Sequence, residues 1–405
     1  MSGKPTPPTI AVCANQAWNL VNFRAGLIAE LIRQGFSVHA IAPPDEAMEQ
    51  HLRDLGCDFT PISIDPAGLS PVRDLPTLFK LFKILNELRP AAWLSWTIKP
   101  NVYGSLAAGL LNIPALPNVS GLGTAFIRRN LLTRIAVQLY RAGFSRAPVV
   151  FFQNGDDRDE FVKGGMVRPD QARLLPGSGI DPEKWRSPSD LRPQPRRFLM
   201  LARIVADKGV REYVGAARQI KQQWPDARFT LMGELGPANR TAIDHSEVIG
   251  WVNEGLIEHH DPVADVRPHI AAADIIVLPS YREGLSRVLL EASAMSRPIV
   301  TTDVPGCRDV VRDGVNGFLC RARDADDLAR ALARASALSD DEWRAMARAA
   351  RLRVIEEFSQ RRVNELYLEA LAAVGIAAPV PEDRTLMESA NINLIAPGTS
   401  LARNR

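Results

Sequence analysis

Two glutamates eight positions apart, Glu283 and Glu291, stand in the run Leu278-Pro-Ser-Tyr-Arg-Glu-Gly-Leu-Ser-Arg-Val-Leu-Leu-Glu-Ala292. An apolar run, Ile275 to Leu278, precedes them and is closed by Pro279. Leu285, Val288, Leu289, Ala292 and Met295 follow at helical spacing. The stretch therefore reads strand, glycine-containing turn, helix, with one carboxylate at the turn and one inside the helix. At ~1.5 Å rise per residue the two are roughly 12 Å apart if both are helical, which suits the two ends of an elongated diphosphate ligand such as a nucleotide-sugar. The helix start between them offers free N–H groups and a positive dipole end to a diphosphate. The plainer alternative is a surface Glu283 and a solvated Glu291. Leu289, Leu290 and Ala292 around Glu291 weigh against it, because a carboxylate buried among them needs a polar partner.

Two cations join the glutamates. Arg203 and Lys208 follow the apolar run Arg197-Phe-Leu-Met-Leu-Ala202, at a strand end, where open parallel sheets bind ligands. Fixed there, they would stabilise the charge gathering on a departing diphosphate without a metal. An exposed basic loop is the alternative.

These residues resemble the E-x7-E signature of retaining GT-B glycosyltransferases of family 4. Leu199-Met-Leu-Ala-Arg-Ile-Val-Ala-Asp-Lys-Gly209 resembles the family's Arg-x4-Lys-Gly element, and Arg297-Pro-Ile-Val-Thr-Thr-Asp-Val-Pro-Gly306 and Val311-Arg-Asp-Gly-Val-Asn-Gly-Phe-Leu319 resemble its next strand, glycine loop and turn. The resemblance implies that Glu291 binds ribose hydroxyls, Glu283 the donor sugar, and the backbone of Gly284, Leu285 and Ser286 the phosphates. Gly250-Trp-Val252 resembles the loop that holds the base, implying a main-chain contact from Val252.

Apolar runs alternating with helical patterns must position these groups. Thr9 to Cys13, Phe36 to Ala42, Ala91 to Ser95, Ala115 to Val119 and Val149 to Gln153 form one series of expected strands. Arg197 to Ala202, Arg228 to Met232, Val248 to Gly250, Asp274 to Leu278, Pro298 to Thr302 and Gly317 to Cys320 form a second. Strands alternating with helices predict parallel sheets covered on both faces. The expected fold class is thus α/β, GT-B, with two Rossmann-like domains facing a central cleft. The N-terminal acceptor-binding domain spans 1–185, a proline-rich linker 186–196, and the C-terminal nucleotide-sugar domain 197–358. A helix within 359–375 crosses back to the first domain, as the resemblance implies, and 376–405 is a tail.

In the first domain, Asn15-Gln-Ala-Trp-Asn-Leu-Val-Asn-Phe23 fills the loop after strand one, where many family members carry a glycine pair that this chain lacks. That loop, with Thr97-Ile-Lys-Pro-Asn-Val-Tyr-Gly104 and Val119-Ser-Gly-Leu-Gly123, resembles a branch of capsule, O-antigen and glycan-initiating enzymes. Those enzymes generally extend sugars on a polyprenyl diphosphate. Asn15, Lys99, Gly121 and Gly123 are candidate acceptor or cleft residues. Lys99 either meets an acceptor phosphate or is solvated, and the glycines either admit a ligand to the backbone or make a turn. Ala125 to Ala147 holds five arginines and no acid, interleaved with apolar residues. It reads equally as a helix lying on an anionic bilayer or as a core-facing helix with a basic back.

Composition narrows the rest. With 405 residues, 46% hydrophobic and 23% charged, the chain suits two globular domains. A net charge of +3 is too small to argue for nucleic acid. Met1 to Pro8 shows no secretory signal, and no run nears the ~20 apolar residues of a spanning helix. Cys13, Cys57, Cys307 and Cys320 lack metal-ligand spacing and fit a reduced compartment. Asp157-Arg-Asp159 matches a metal-binding triplet of another glycosyltransferase class, but its setting reads as an acidic helix start, and Asp324-Ala-Asp326 reads likewise. No cofactor and no metal are expected.

The expected protein is a retaining, metal-independent enzyme moving a hexose or N-acetylhexosamine from a UDP-sugar to a lipid-linked saccharide. It would be cytoplasmic and peripheral on the inner membrane. A sugar-nucleotide epimerase and a non-catalytic nucleotide-sugar-binding scaffold are the alternatives. A nicotinamide dehydrogenase is disfavoured, since no G-x-G-x-x-G follows strand one.

Overall fold

Runs such as Ile10 to Cys13 and Ile275 to Leu278 are apolar at every position rather than alternately, and every residue of both is buried. Strands of a parallel sheet covered by helices on both faces have this pattern. The structure is a computed structural model, and it describes residues 7–65, 70–121, 131–187, 192, 196–236, 239 and 241–379. The chain divides into two compact units, one built from residues up to Gly179 together with the segment from Gln360, the other from Ile180–Ser359.

The first unit alternates β1 (Thr9–Cys13), α1 (Ala17–Arg33), β2 (Ser37–Ala42), α2 (Glu46–Asp54), β3 (Asp58–Pro61), α3 (Pro71–Leu88) and β4 (Ala92–Trp96). A π-helical turn at Pro100–Gly104 leads into α4 (Ser105–Leu110), β5 (Ala115–Val119), α5 (Leu131–Phe144), β6 (Val150–Phe152), α6 (Gly155–Lys163) and β7 (Ala172–Leu174). Its seven strands are parallel in the order β3-β2-β1-β4-β5-β6-β7.

The second unit runs β8 (Arg197–Leu201), α7 (Val210–Gln223), β9 (Arg228–Met232), α8 (His245–Asn253), β10 (Glu258–His260), α9 (Arg267–Ala272) and β11 (Ile275–Leu278). It continues through α10 (Arg287–Ala294), β12 (Ile299–Thr302), β13 (Gly317–Cys320), α11 (Ala325–Ser336) and α12 (Asp340–Glu357). Six parallel strands lie in the order β10-β9-β8-β11-β12-β13. In each sheet the order reverses once, between β1 and β4 and between β8 and β11. Ligands of open α/β sheets gather at such reversals, beyond the strand C-termini.

The last helix, α13 (Gln360–Ala373), packs on α1 of the first unit. Its Asn364 amide donates to the Gly26 carbonyl at 3.3 Å. Tyr367 is fully buried there, and its hydroxyl accepts from Trp96 Nε1 and Asn118 Nδ2, both at 3.0 Å.

Two expectations change. The run Val248 to Gly250 is not a strand but the middle of α8, because Asp244 caps that helix by accepting from the Ser246 N–H and Glu247 sits in its first turn. The strand of this region is the edge strand β10. Of the stretch 186–196, expected as a linker, the described residues Arg186, Ser187, Arg192 and Arg196 fall in the second unit. Within it, Arg192 grips the fully buried Asp274 at 2.9 and 3.2 Å and donates to the Leu338 carbonyl at 2.7 Å, while Ser187 meets the buried Arg297 guanidinium at 3.1 Å.

Candidate active site

At the reversal in the second sheet, the loops leaving β8 and β11 are bound to each other. The β8 loop ends in a 3-10 turn, Ala206–Lys208, closed by Gly209 at φ 76°. Only glycine fits there, since a Cβ would stand 2.1 Å from the Pro279 carbonyl oxygen. The Tyr281 N–H donates to the Asp207 carbonyl at 2.9 Å, completing the join.

This join brings Lys208 and Glu283 together, with Nζ 2.5 Å from Oε1. The Ser280 hydroxyl donates to the same carboxylate oxygen at 2.6 Å. Behind it, Thr302 holds the Ser280 carbonyl. The Glu283 N–H donates to the Pro305 carbonyl at 3.1 Å, and Gly306, at φ 79°, lies so close that a Cβ there would be 2.5 Å from the Glu283 carbonyl oxygen. The Lys208 and Glu283 side chains remain 21% and 13% exposed, so a ligand can reach them while most of their hydration is already gone. Arg203, on the same loop, is exposed, and among the described residues no carboxylate pairs with it.

Glu291 lies inside α10, where Arg287 one turn earlier meets it at 2.9 Å. Burial pushes its carboxyl above the usual range, and the Arg287 charge partly opposes that. Ser286 stands at the start of α10 with no side-chain capping bond, and its own N–H donates to the Gly306 carbonyl at 3.3 Å. Gly284 and Leu285 are half-buried between the two glutamates. The nearby Cys307 thiol is pushed up to about 12 by burial and then by the Glu283 carboxylate, so it stays protonated.

Val252 does not join this cluster. It occupies the last turn of α8, and its carbonyl accepts one hydrogen bond, from Gly255 N–H at 2.9 Å. Its side chain lines a hollow beside β10 with Lys221, Phe229 and His259.

The reversal in the first sheet joins the loop after β1 to the loop after β4. The Asn15 N–H donates to Thr97 Oγ1 at 3.1 Å. Thr97 takes φ 71°, a strained conformation for a β-branched residue, of the kind that clusters at ligand clamps. Lys99 is neither solvated nor open to an incoming phosphate in this structure. It is buried against Asp74 at 2.6 Å, and Tyr103 and the Ser70 N–H donate to that carboxylate's other oxygen at 3.0 and 2.9 Å. Asn101 bridges Ser95 and the Asn118 carbonyl, and Gly104 leaves room for the Trp93 ring, which a Cβ would meet at 2.2 Å. Most of the Thr97–Gly104 stretch therefore builds the corner.

Gly121 has φ 138°, a value that glycine tolerates. Gly123 lies outside the described residues, as do 125–130 with Arg128 and Arg129. Of the remaining basic segment, Arg141 and Arg146 donate to the carbonyls of Gly164, Gly165 and Gly109. Asp157 is buried in the first turn of α6 under its Asn154 cap, and Asp159 pairs with Arg158, as an acidic helix start requires. Among the described residues no cluster of three or more metal-binding side chains occurs, and no helix is long and apolar enough to cross a membrane.

Sequence reasoning missed Ser280, Asp74, Thr97 and Tyr367. Ser280 was findable, since it directly follows a strand end. Asp74 and Tyr367 act through partners distant in sequence, which no local pattern reveals.

Residues 22–177 match the sequence model of a glycosyl transferase 4-like domain, and residues 195–337 that of glycosyl transferases group 1. One relative is the N,N'-diacetylbacillosaminyl-diphospho-undecaprenol alpha-1,3-N-acetylgalactosaminyltransferase of Campylobacter jejuni, 28% identical over 80% of this chain and 87% of that protein. A second is the UDP-Gal:alpha-D-GlcNAc-diphosphoundecaprenol alpha-1,3-galactosyltransferase of Escherichia coli, 22% identical over 75% of this chain and 81% of that protein. Among solved structures, Anabaena HepE in complex with UDP-glucose superposes with a TM-score of 0.73 at 18% identity, covering 90% of this chain and all (100%) of HepE. At that identity the likeness shows the fold alone, and the fold is GT-B.

Proposed function

The chain belongs to the group 1 glycosyltransferases, family 4 of the GT-B fold, and from that premise we propose that it moves a hexose or N-acetylhexosamine from a UDP-sugar to a saccharide on a polyprenyl diphosphate. The observation that carries the proposal is the Lys208–Glu283 contact at the β8/β11 reversal, with Arg203 exposed on the same β8 loop. One cation meets the departing diphosphate, and one carboxylate accepts hydrogen bonds from the donor sugar. Glu291 accepts from the ribose hydroxyls, and the backbone at Gly284 and Leu285 leads phosphate oxygens to the start of α10. The acceptor class is supported by the relatives from Campylobacter jejuni and Escherichia coli, whose names specify undecaprenyl-diphosphate-linked sugars.

The transfer is retaining and needs no metal on this reading. The acceptor hydroxyl attacks the anomeric carbon on the face from which the diphosphate leaves. The bond from that carbon to the β-phosphate oxygen breaks, and the hydroxyl proton passes to that oxygen. Lys208 and Arg203 hold the growing charge, the work a metal does elsewhere. A lipid-bound acceptor places the enzyme at a membrane surface, on the cytoplasmic face where nucleotide-sugars are supplied.

A panel of UDP- and GDP-sugars tests the reading by thermal stabilisation, donor hydrolysis and the anomeric configuration of the product. Stabilisation by one or a few UDP-sugars and a product that keeps the donor's anomeric configuration are expected. Interconversion of UDP-sugars without transfer would turn the assignment to an epimerase.

A further inference from the structure

Helix α3 presents two different apolar faces. Leu81 and Leu85 are fully buried in the first unit's core, as an amphipathic helix requires. On the opposite side Val72, Leu75 and Phe79 are 78%, 58% and 72% exposed. Their spacing of three and four residues aligns them along one stripe, with Pro76 exposed between them. Arg73, Lys80 and Lys83 flank the stripe and are exposed. The acid on these turns, Asp74, is fully buried under Lys99 and Tyr103. The first exposed acid is Glu87, in the last turn, 3.9 Å from Lys83. Ahead of the helix Asp65 is also exposed, 3.8 Å from Lys99. From Val72 to Lys83 the helix itself shows an apolar stripe rimmed by cations with no exposed acid, which fits a surface that is apolar within and anionic at its face.

We propose that α3 docks the protein on an anionic phospholipid bilayer, with Val72, Leu75 and Phe79 entering the acyl boundary and Arg73, Lys80 and Lys83 meeting headgroup phosphates. This inference rests on the lipid-linked acceptor proposed above and names the surface that would deliver it. The buried side of the same helix supports the connection. Asp74 holds Lys99 and Tyr103, so the docked helix is fastened to the corner after β4, whose Thr97 holds Asn15 of the loop after β1. The basic segment around α5 offers fewer free cations among the described residues, because Arg141 within the helix and Arg146 just beyond it are spent on backbone carbonyls, leaving Arg134 exposed.

The test uses the full chain and sedimentation with vesicles of phosphatidylcholine alone or mixed with phosphatidylglycerol. Wild type should bind the mixed vesicles and lose binding in high salt. The Leu75→Glu/Phe79→Glu variant should bind at least about tenfold more weakly, the loss expected when two large apolar side chains no longer leave water. Replacing Arg73, Lys80 and Lys83 by Gln should weaken binding about fivefold per cation and only on anionic vesicles. Melting temperature, donor hydrolysis and transfer to a water-soluble diphosphate-linked acceptor should be unchanged in both variants. A failure of soluble transfer in wild type would count against the proposed function and not against docking. Vesicle binding equal in wild type and Leu75→Glu/Phe79→Glu would overturn the inference. So would a wild-type dimer that becomes monomeric in that variant without vesicle binding, since the stripe would then cover a second copy of this chain.

Discussion

Replacing Lys208 with Met removes one charge while keeping most of the side-chain volume, and the structure says what should follow. In the ligand-free protein Glu283 loses the Lys208 contact at 2.5 Å and keeps the Ser280 hydroxyl at 2.6 Å. Exposed pairs are worth about 0–1 kcal/mol and fully buried ones cost about 3–5 kcal/mol when broken. With side chains 21% and 13% exposed, this pair falls between, and about 1–2 kcal/mol is expected. For a unit of this size that lowers the melting temperature by roughly 2–8 °C. Catalysis should suffer more. Loss of a group that stabilises charge only as it develops costs about 100- to 1,000-fold in kcat, or about 2.7–4 kcal/mol. Calorimetry of UDP binding, scanning calorimetry and initial rates of sugar transfer measure the three effects separately. Adding Glu283→Gln should restore most of the melting temperature, because the stranded carboxylate is gone, without restoring kcat. Turnover of Lys208→Met within a few-fold of wild type, with UDP bound normally, would refute the assigned role.

Glu291→Gln should weaken UDP binding yet raise the melting temperature of the ligand-free protein at pH 7. Burial lifts the folded-state pKa of this carboxyl, so its contribution to stability is whole below the ordinary Glu range near about 4.3 and is lost as pH rises through the lifted value; the gain in the variant should vanish in acid. Lys99→Met should cost about 3–5 kcal/mol by stranding the buried Asp74, and Asp74→Leu in the same chain should recover most of it, as read by denaturant unfolding. Saturating EDTA should leave transfer rates unchanged, whereas a loss reversed by Mn²⁺ would return Asp157 and Asp159 to consideration as ligands.

How much of this was legible depends on range. The Leu278–Met295 stretch was readable because a fully buried strand, a glycine turn and a periodic helix follow one another without a break, and the structure places β11, the Glu283 loop and α10 there. The edge strands β3, β7 and β10 went unread. Asp58-Phe-Thr-Pro61, Ala172-Arg-Leu174 and Glu258-His-His260 carry no continuous apolar run, whereas the equally short β6 and the fourth edge strand, β13, do and were read. Val248 to Gly250 misled for the opposite reason, being a short apolar run whose conformation was decided by the Asp244 cap outside it. The Thr97–Gly104 run was recognised as important, but its work could not be read from within. Lys99 finds its partner 25 residues earlier, and Trp96 finds Tyr367 271 residues later. Such contacts exist only once the sheet has formed.

The two sheet reversals differ in what they hold ready. In the first unit the Lys99 charge is consumed by scaffolding, because Asp74 is buried and saturated by three donors. In the second unit the Lys208 charge is held by a carboxylate that is itself still reachable. On the proposed reading, a diphosphate arriving there competes with Glu283 for Lys208, and the oxygen that Lys208 releases, still accepting from the Ser280 hydroxyl, has a lone pair left for the donor sugar's hydroxyls. Ser280 and Gly306 keep the Glu283 backbone and one carboxylate oxygen in place during that exchange, so little reorganisation is needed. A nucleoside diphosphate without its sugar would draw Lys208 away and offer Glu283 nothing in return. The sugar therefore contributes to binding by completing an exchange that the diphosphate begins, which ties recognition of the leaving group to recognition of what it leaves behind.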